Sequence, residues 1–249
     1  MQHNQYTREF IDACRSGDIE CVRRMSHLIY RNEIDISAFN EHAFKMACKY
    51  GHLDVVKQLL RWKPTIDISI DNEYAFRTAC QNGHLSVIRQ LVKWKSSINI
   101  SAIDEYDFMR VCGNGHLPII KQLYEWKPLE IKAYCNENVF RYACEKGKLQ
   151  IVKQLIEWNP DIDVGCVAIA DISSPHIRDY IVKLQYTRIR WLNSVLTCCS
   201  DTTIDCPICR CDIKEYVETP CGHKYCKDCI TSWIRKSSYC PYCRDNILC

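Results

Sequence analysis

The chain repeats itself. Trp62, Trp94, Trp126 and Trp158 stand 32 residues apart. Three further sets keep that step: Gly51, Gly83, Gly115 and Gly147; Cys48, Cys80, Cys112 and Cys144; and the Gln-Leu pairs at Gln58, Gln90, Gln122 and Gln154. Independent markers in one register mean stacked copies of one unit, none able to bury its apolar face alone. Within a copy the spacing predicts two short helices. Ala75, Phe76, Ala79 and Cys80 share a helical face, Asn82-Gly83 breaks the chain, and Leu85, Val87, Ile88, Leu91 and Val92 form a second stripe. Pro64, Pro128 and Pro160 are expected to stop the chain after the second helix, and Ile66-Asp67-Ile68 suggests an extended connection.

Over residues 5–166 this pattern resembles the ankyrin repeat. Gly83-His84-Leu85-Ser86-Val87-Ile88-Arg89-Gln90-Leu91 looks like that family's glycine-led second helix, and Ala75 to Cys80 takes the place of its first. Three features depart from the family. The step is 32 rather than 33; segments such as Glu73-Tyr74-Ala75-Phe76 replace Thr-Pro-Leu-His; and Lys63, Lys95, Lys127 and Asn159 stand where a glycine closes the second helix. A left-handed cap costs lysine more than glycine. With Trp-Lys-Pro after the second helix, the whole pattern resembles the divergent ankyrin proteins of giant DNA viruses. Both ends of the array are degenerate: residues 5–38 keep Ala13-Cys14 and Gly17, and residues 167–185 keep Tyr180-Ile181-Val182-Lys183.

One cysteine per copy cannot converge on a metal, because neighbouring helices stand ~8–10 Å apart and Zn–S bonds are ~2.3 Å. Cys48 and its equivalents are therefore read as small buried packing residues. His52, His84 and His116 are read as hydrogen-bonding residues at a helix entry, and the tryptophans as packing. Copy-to-copy differences at Asp71-Asn72-Glu73, Asp104-Glu105-Tyr106 and Asn136-Glu137-Asn138 suit loop tips that bind a protein partner.

Composition narrows the class. The 249 residues are 47% hydrophobic and 25% charged with a net charge of +3, which gives no basic block for nucleic acid or an anionic membrane. Residues 1–10 lack the apolar run of a signal peptide, and residues 164–170 are too short to span a bilayer. The expectation is an intracellular protein, cytoplasmic or nuclear (in a host cell if viral), without membrane or nucleic-acid partners. Its 19 cysteines are then reduced, and metal binding becomes the better explanation for a dense cluster.

That cluster is C-terminal. Cys206/Cys209, Cys221/His223, Cys226/Cys229 and Cys240/Cys243 form four ligand pairs, while Cys211 and Cys249 fall outside them. Eight ligands make two closed tetrahedral sites, so the metal is structural zinc, supplying folding energy that about 40 residues cannot find in a core. The order, three cysteines, a histidine and four cysteines, resembles the RING finger family; in the PHD family the histidine comes fifth. The resemblance implies interleaved sites: Cys206, Cys209, Cys226 and Cys229 on one zinc, Cys221, His223, Cys240 and Cys243 on the other.

The resemblance also implies a function. RING fingers bind a ubiquitin-conjugating enzyme carrying ubiquitin, using no nucleophile of their own. Their docking surface takes an apolar residue in the first zinc loop, a large one on the central helix and a proline in the last loop; here these are Ile208, Trp233 and Pro241. Arg244 stands where many members place the cation that bridges enzyme and ubiquitin. The alternative for Ile208 and Trp233 is packing inside the small core. The expected architecture is mostly α: an ankyrin-like solenoid over 5–185, a helical linker over 186–203 built on Ile189, Trp191, Leu192, Val195 and Leu196, and a zinc-stabilised α+β RING over 204–246. The expected protein is a ubiquitin ligase whose repeats recruit the substrate. The other possibility is a non-catalytic zinc-binding adaptor.

Overall fold

A computed structural model describes residues 2–95, 98–160, 162–194, 197–237, 239–245 and 247. It divides into two compact units, Met1–Ile131 and Lys132–Cys249.

The first unit is helical. Its elements are α1 (Gln2–Ser16), α2 (Ile19–Arg24), α3 (Ser26–Tyr30), α4 (Ala38–Tyr50), α5 (Leu53–Trp62), α6 (Ile70–Gln81), α7 (Leu85–Trp94), α8 (Glu105–Asn114) and α9 (Leu117–Trp126). First helices α1, α4, α6 and α8 pack in one row, and second helices α2, α5 and α7 in another. Between the rows lies a core with the sequence's own period: Phe44, Phe76 and Phe108, Cys48, Cys80 and Cys112, and Leu59, Leu91 and Leu123 have no exposed surface. Each buried phenylalanine contributes roughly 2–3 kcal/mol. The indoles lie further out. Trp94 is 41% exposed, and Trp126 tilts against Phe76 with ring centroids 6.5 Å apart.

Between copies the histidines act as stitches. His52 Nε2 donates to the Arg15 carbonyl at 2.9 Å, and His84 Nε2 to the Lys49 carbonyl at 3.0 Å. Each is the N-cap residue of its helix, but neither side chain hydrogen-bonds to that helix's first turn. Each ring lies on a glycine of the preceding copy: a methyl group at Gly17, Gly51 or Gly83 would overlap His52, His84 or His116 respectively. Gly51 also has φ +81°, so the position excludes other residues twice over. Burial, with His52 nearby, holds His84 below the usual imidazole range against the pull of the Lys49 carbonyl.

In one register of the core, a single copy carries a charge. Ala43, Ala75, Asp107 and Val139 share a register, and Asp107 is only 1% exposed. Arg77 Nε donates to its Oδ2 at 2.5 Å, and Gln81 Nε2 also donates to the carboxylate. The second helices end on Lys63, Lys95 and Lys127 with φ between −130° and −141°, so the family's glycine is not needed there. Left-handed backbone appears instead within the opening turns of α4 and α6, at Phe39-Asn40-Glu41 and Asp71-Asn72-Glu73, which kinks the start of each.

The second unit holds α10 (Pro128–Tyr134) from Lys132 onward, α11 (Glu137–Glu145), α12 (Leu149–Trp158), α13 (Pro175–Ser194), strands β1 (Thr197–Asp205), β2 (Asp212–Glu218) and β3 (Lys224–Tyr225), and α14 (Lys227–Lys236). One sequence expectation holds with an addition and one needs correction. The second helix α9 ends at Trp126, before Pro128 as expected, and Pro128 then opens α10, as its missing N–H allows at a first helical position. The stretch 186–203 is not one helix: α13 begins at Pro175, ends at Ser194, and gives way to β1 at Thr197. From there the backbone pairs antiparallel with β2, which outweighs the helical spacing. Val195 and Leu196 lie outside the described residues. Helix α13 packs on α12 and α14, and α14 also touches the turn Val164–Cys166. Among the described residues no helix is long and apolar enough to cross a membrane.

Candidate metal centre and docking surface

The two outer knuckles are built alike. Cys206-Pro207-Ile208-Cys209-Arg210 and Cys240-Pro241-Tyr242-Cys243-Arg244 share the pattern Cys-Pro-x-Cys-Arg. In the first, the Arg210 N–H donates to the Cys206 carbonyl at 2.7 Å and the Cys206 N–H to the Cys211 carbonyl at 3.0 Å. In the second, the Arg244 N–H reaches the Cys240 carbonyl at 3.0 Å and the Cys240 N–H the Asp245 carbonyl at 2.8 Å. Both arginines take positive φ, +57° and +65°, which turns the chain sharply after the second thiol. A third turn runs from Thr219 to His223. The Gly222 N–H donates to the Thr219 carbonyl at 2.8 Å, and the Thr219 hydroxyl lies 3.1 Å from Cys221 Sγ. The fourth pair sits at the entrance of α14, where Cys226 caps the helix and Cys229 lies in its first turn.

These turns gather the eight side chains into two groups of four. In each of Cys206, Cys209, Cys226, Cys229 and Cys221, His223, Cys240, Cys243, the candidate ligand atoms lie within 4.8 Å of one another. A tetrahedral zinc with Zn–S of ~2.3 Å and Zn–N of ~2.0 Å would set its ligand atoms roughly 3.5–3.8 Å apart. Cys209 and Cys226 Sγ are 3.9 Å apart, and His223 Nδ1 is 3.4 Å from Cys221 Sγ and 3.6 Å from Cys240 Sγ. The two groups fit two zinc ions.

Electrostatics agree. The Cys211 N–H is the main influence pulling the Cys209 thiol down to about 7. For Cys240, burial works upward, but the Tyr225 hydroxyl and the N–H groups of Cys243 and Tyr242 outweigh it and bring the thiol to about 6. Tyr225 OH is 3.1 Å from Cys240 Sγ. Cys229 is pushed up, first by Cys226 and then by burial. Crowded thiolates repel one another, and a divalent cation relieves that repulsion. Around the two groups, Val217, Tyr225, Ile230, Ile234 and Ile247 form a small core.

Residues 204–244 match the Ring finger domain. Ankyrin repeats, in three copies, match residues 10–104. Three curated relatives align over 42 to 47 residues each. An uncharacterized RING finger protein of Schizosaccharomyces pombe is 40% identical over 45 residues, covering 18% of this chain and 10% of its own. TNF receptor-associated factor 6 of Rattus norvegicus is 48% identical over 42 residues, 16% of this chain and 8% of its own. The postreplication repair E3 ubiquitin-protein ligase RAD18 of Kluyveromyces lactis is 40% identical over 47 residues, 19% of this chain and 11% of its own. The chain thus spans about a tenth of the length of these relatives.

On the module's surface, Ile208 is 40% exposed and lies outside the core. Trp233 packs against that core while its indole N–H donates to the Tyr239 carbonyl at 2.7 Å. The Arg244 guanidinium lies 5.6 Å from the Trp233 ring centroid. Pro241 is half-buried. Tyr242, which the sequence reading passed over, is 70% exposed and lies against the His223 ring with centroids 4.7 Å apart. The doubled Cys-Pro-x-Cys-Arg pattern was the signal that could have singled out Arg210 and Tyr242. Nothing in the spacing marked the Thr219 and Tyr225 hydroxyls.

Proposed function

We propose that this chain is a RING-type ubiquitin ligase. Its zinc module docks a ubiquitin-conjugating enzyme carrying ubiquitin, and its repeats recruit a protein substrate. The observation that carries the reading is Arg244 lying over the face of Trp233, on the same module that leaves Ile208 in solvent. A cation held on an indole face is positioned in advance, and its planar fork can donate to two acceptors at once. Ile208, Trp233 and Pro241 supply the apolar anchor. Zinc, when bound, supplies rigidity and takes no part at the reacting bond. The gain comes from holding the charged conjugate in an attack-ready arrangement. An intracellular setting belongs to the same proposal, because the thiols must stay reduced. So does the viral origin suggested by Trp-Lys-Pro.

The test is a ubiquitination assay with the zinc-loaded chain across a panel of conjugating enzymes. Ile208→Ala is expected to cut chain formation about thirtyfold, the equivalent of ~2 kcal/mol at an interface anchor, with zinc content unchanged. Trp233→Ala is expected to lose at least as much and to loosen the module. Silence across the panel at two zinc ions per chain would replace the ligase with the adaptor.

A further inference from the structure

The head of the array holds a cavity that neither the zinc groups nor the docking surface uses. It encloses about 430 Å³ and is lined by Arg8, Ile11, Asp12 and Arg15 of α1 with Phe39 and His42 of α4. Ile11 is buried and forms an apolar floor, while Arg8 and Arg15 are exposed at the rim. The charge is lopsided. Asp12 is already 3.2 Å from Arg15, and the lining holds no second carboxylate for Arg8. Burial lowers the His42 pKa, and Lys45 and Arg15 lower it further, as expected where the local potential is positive.

Phe39 supplies a second, independent observation. It is 60% exposed and has φ 55° and ψ 45°, a conformation that costs a bulky side chain dearly. The equivalent residue in the next copy is Asp71, a type that tolerates such backbone. The turn is held within the chain, by Ser37 on Glu41 and Asn40 on Asp71, but neither bond involves the Phe39 ring, which stays largely exposed on the cavity rim. Beyond the cavity, His42, Tyr74 and Tyr106 recur at the 32-residue step along adjacent first helices. Lys45 lies over Tyr74, and Arg110 over Tyr106. Helices packed ~8–10 Å apart match about three residues of extended chain at ~3.3 Å each.

We propose that this cavity anchors an extended acidic-apolar segment of a partner protein. A carboxylate of the segment pairs with Arg8 and Arg15, an apolar side chain beside it covers Phe39 and Ile11, and the chain continues over Tyr74 and Tyr106. The proposal deepens the reading of the repeats as a recruiting arm and rests on that reading, but not on ubiquitin transfer. A nucleic acid fits the surface less well, because Asp12, Asp71 and Glu105 punctuate it and would repel phosphates.

The test selects random dodecapeptides displayed on their coding RNA against the full zinc-loaded chain, then measures anisotropy of retained peptides and of a twelve-residue oligouridylate. Retained peptides are expected to be enriched in Asp or Glu beside Leu or Phe. Their binding should fall at least tenfold with Arg8→Glu/Arg15→Glu. Phe39→Asn should raise the melting temperature yet weaken binding, a split that a purely structural role for Phe39 would not give. Neutral or basic peptides, tighter oligouridylate binding, unchanged affinity in these variants, or no peptide retained beyond the charge-reversed chain would each overturn the proposal. No step needs ubiquitin, so failure of the ligase assay leaves this result standing, and the reverse holds too.

Discussion

The same residue serves opposite ends in the two parts of this chain. In the repeats, one cysteine recurs at the same core position of each copy, as at Cys48, Cys80 and Cys112, and is buried; burial pushes such thiols up, to about 12 at Cys14. In the zinc module they come in pairs at tight turns, where N–H and O–H donors draw Cys209 and Cys240 down to about 7 and about 6. The repeat thiol is a small apolar filler; in the module Cys209 and Cys240 are held toward the thiolate, while Cys226 is pushed up by burial and Cys229 by Cys226, a crowding that a divalent cation relieves. Sulfur chemistry is therefore set by how many donors a turn aims at it.

The largest expected effect comes from breaking that contrast at one ligand. Structural zinc binding is worth ~10–16 kcal/mol of folding free energy, so Cys221→Ala should unfold the module and take metal analysis from two ions to one or fewer. Cys80→Ala, in the other population, should cost only about 1 kcal/mol and release no zinc. A chelator titration followed by circular dichroism should melt β1–β3 while leaving the first unit helical.

The buried ion pair is next. Asp107→Ala strands Arg77 and Gln81 and should cost about 2–3 kcal/mol in urea melts. Asp107→Val with Arg77→Leu, which removes both charges at once and puts at 107 the valine found at the equivalent Val139, should lie close to wild type.

Acidity should separate the two populations at opposite ends of the scale. The folded pKa values of Cys209 and Cys240 lie below that of a free thiol, ~8.5. In the metal-free module the stabilisation from these two is therefore complete above that pH and is lost as pH falls through 7 to 6, and bound zinc moves that loss to lower pH. Raised thiols such as Cys14 leave stability intact below that pH and erode it as pH rises toward 12. Zinc release on acidification, and loss of helical signal only in alkali, would be the paired result.

The smallest effect concerns turns. Arg210 has positive φ, so Arg210→Gly should stabilise the module by about 1 kcal/mol. Lys63 does not, so Lys63→Gly should cost about 0.5 kcal/mol.

Periodicity carried most of the fold into view. A core that repeats every 32 residues leaves its mark at Cys48, Cys80 and Cys112 whatever the loops do. The eight zinc-module positions were equally plain, because a tetrahedral ion imposes its own spacing. What escaped was decided by partners far away in sequence. Asp107, one residue past the tip Asp104-Glu105-Tyr106, drew no reading, because only folding brings Arg77 to it. The left-handed turn at Phe39 is held by Ser37 on Glu41 and by Asn40 on Asp71 of the next copy. The strand at Thr197 needs β2, 15 residues further on, to exist at all.

The histidine seated on the previous copy's glycine works as a plug in a socket. Three successive joints, at His52, His84 and His116, use the same pair. An insertion or loss of one whole copy therefore mates a plug with an equivalent socket, whereas a cut at any other length leaves a ring facing a side chain. The array can gain or shed reach in increments of one copy without redesigning a single joint.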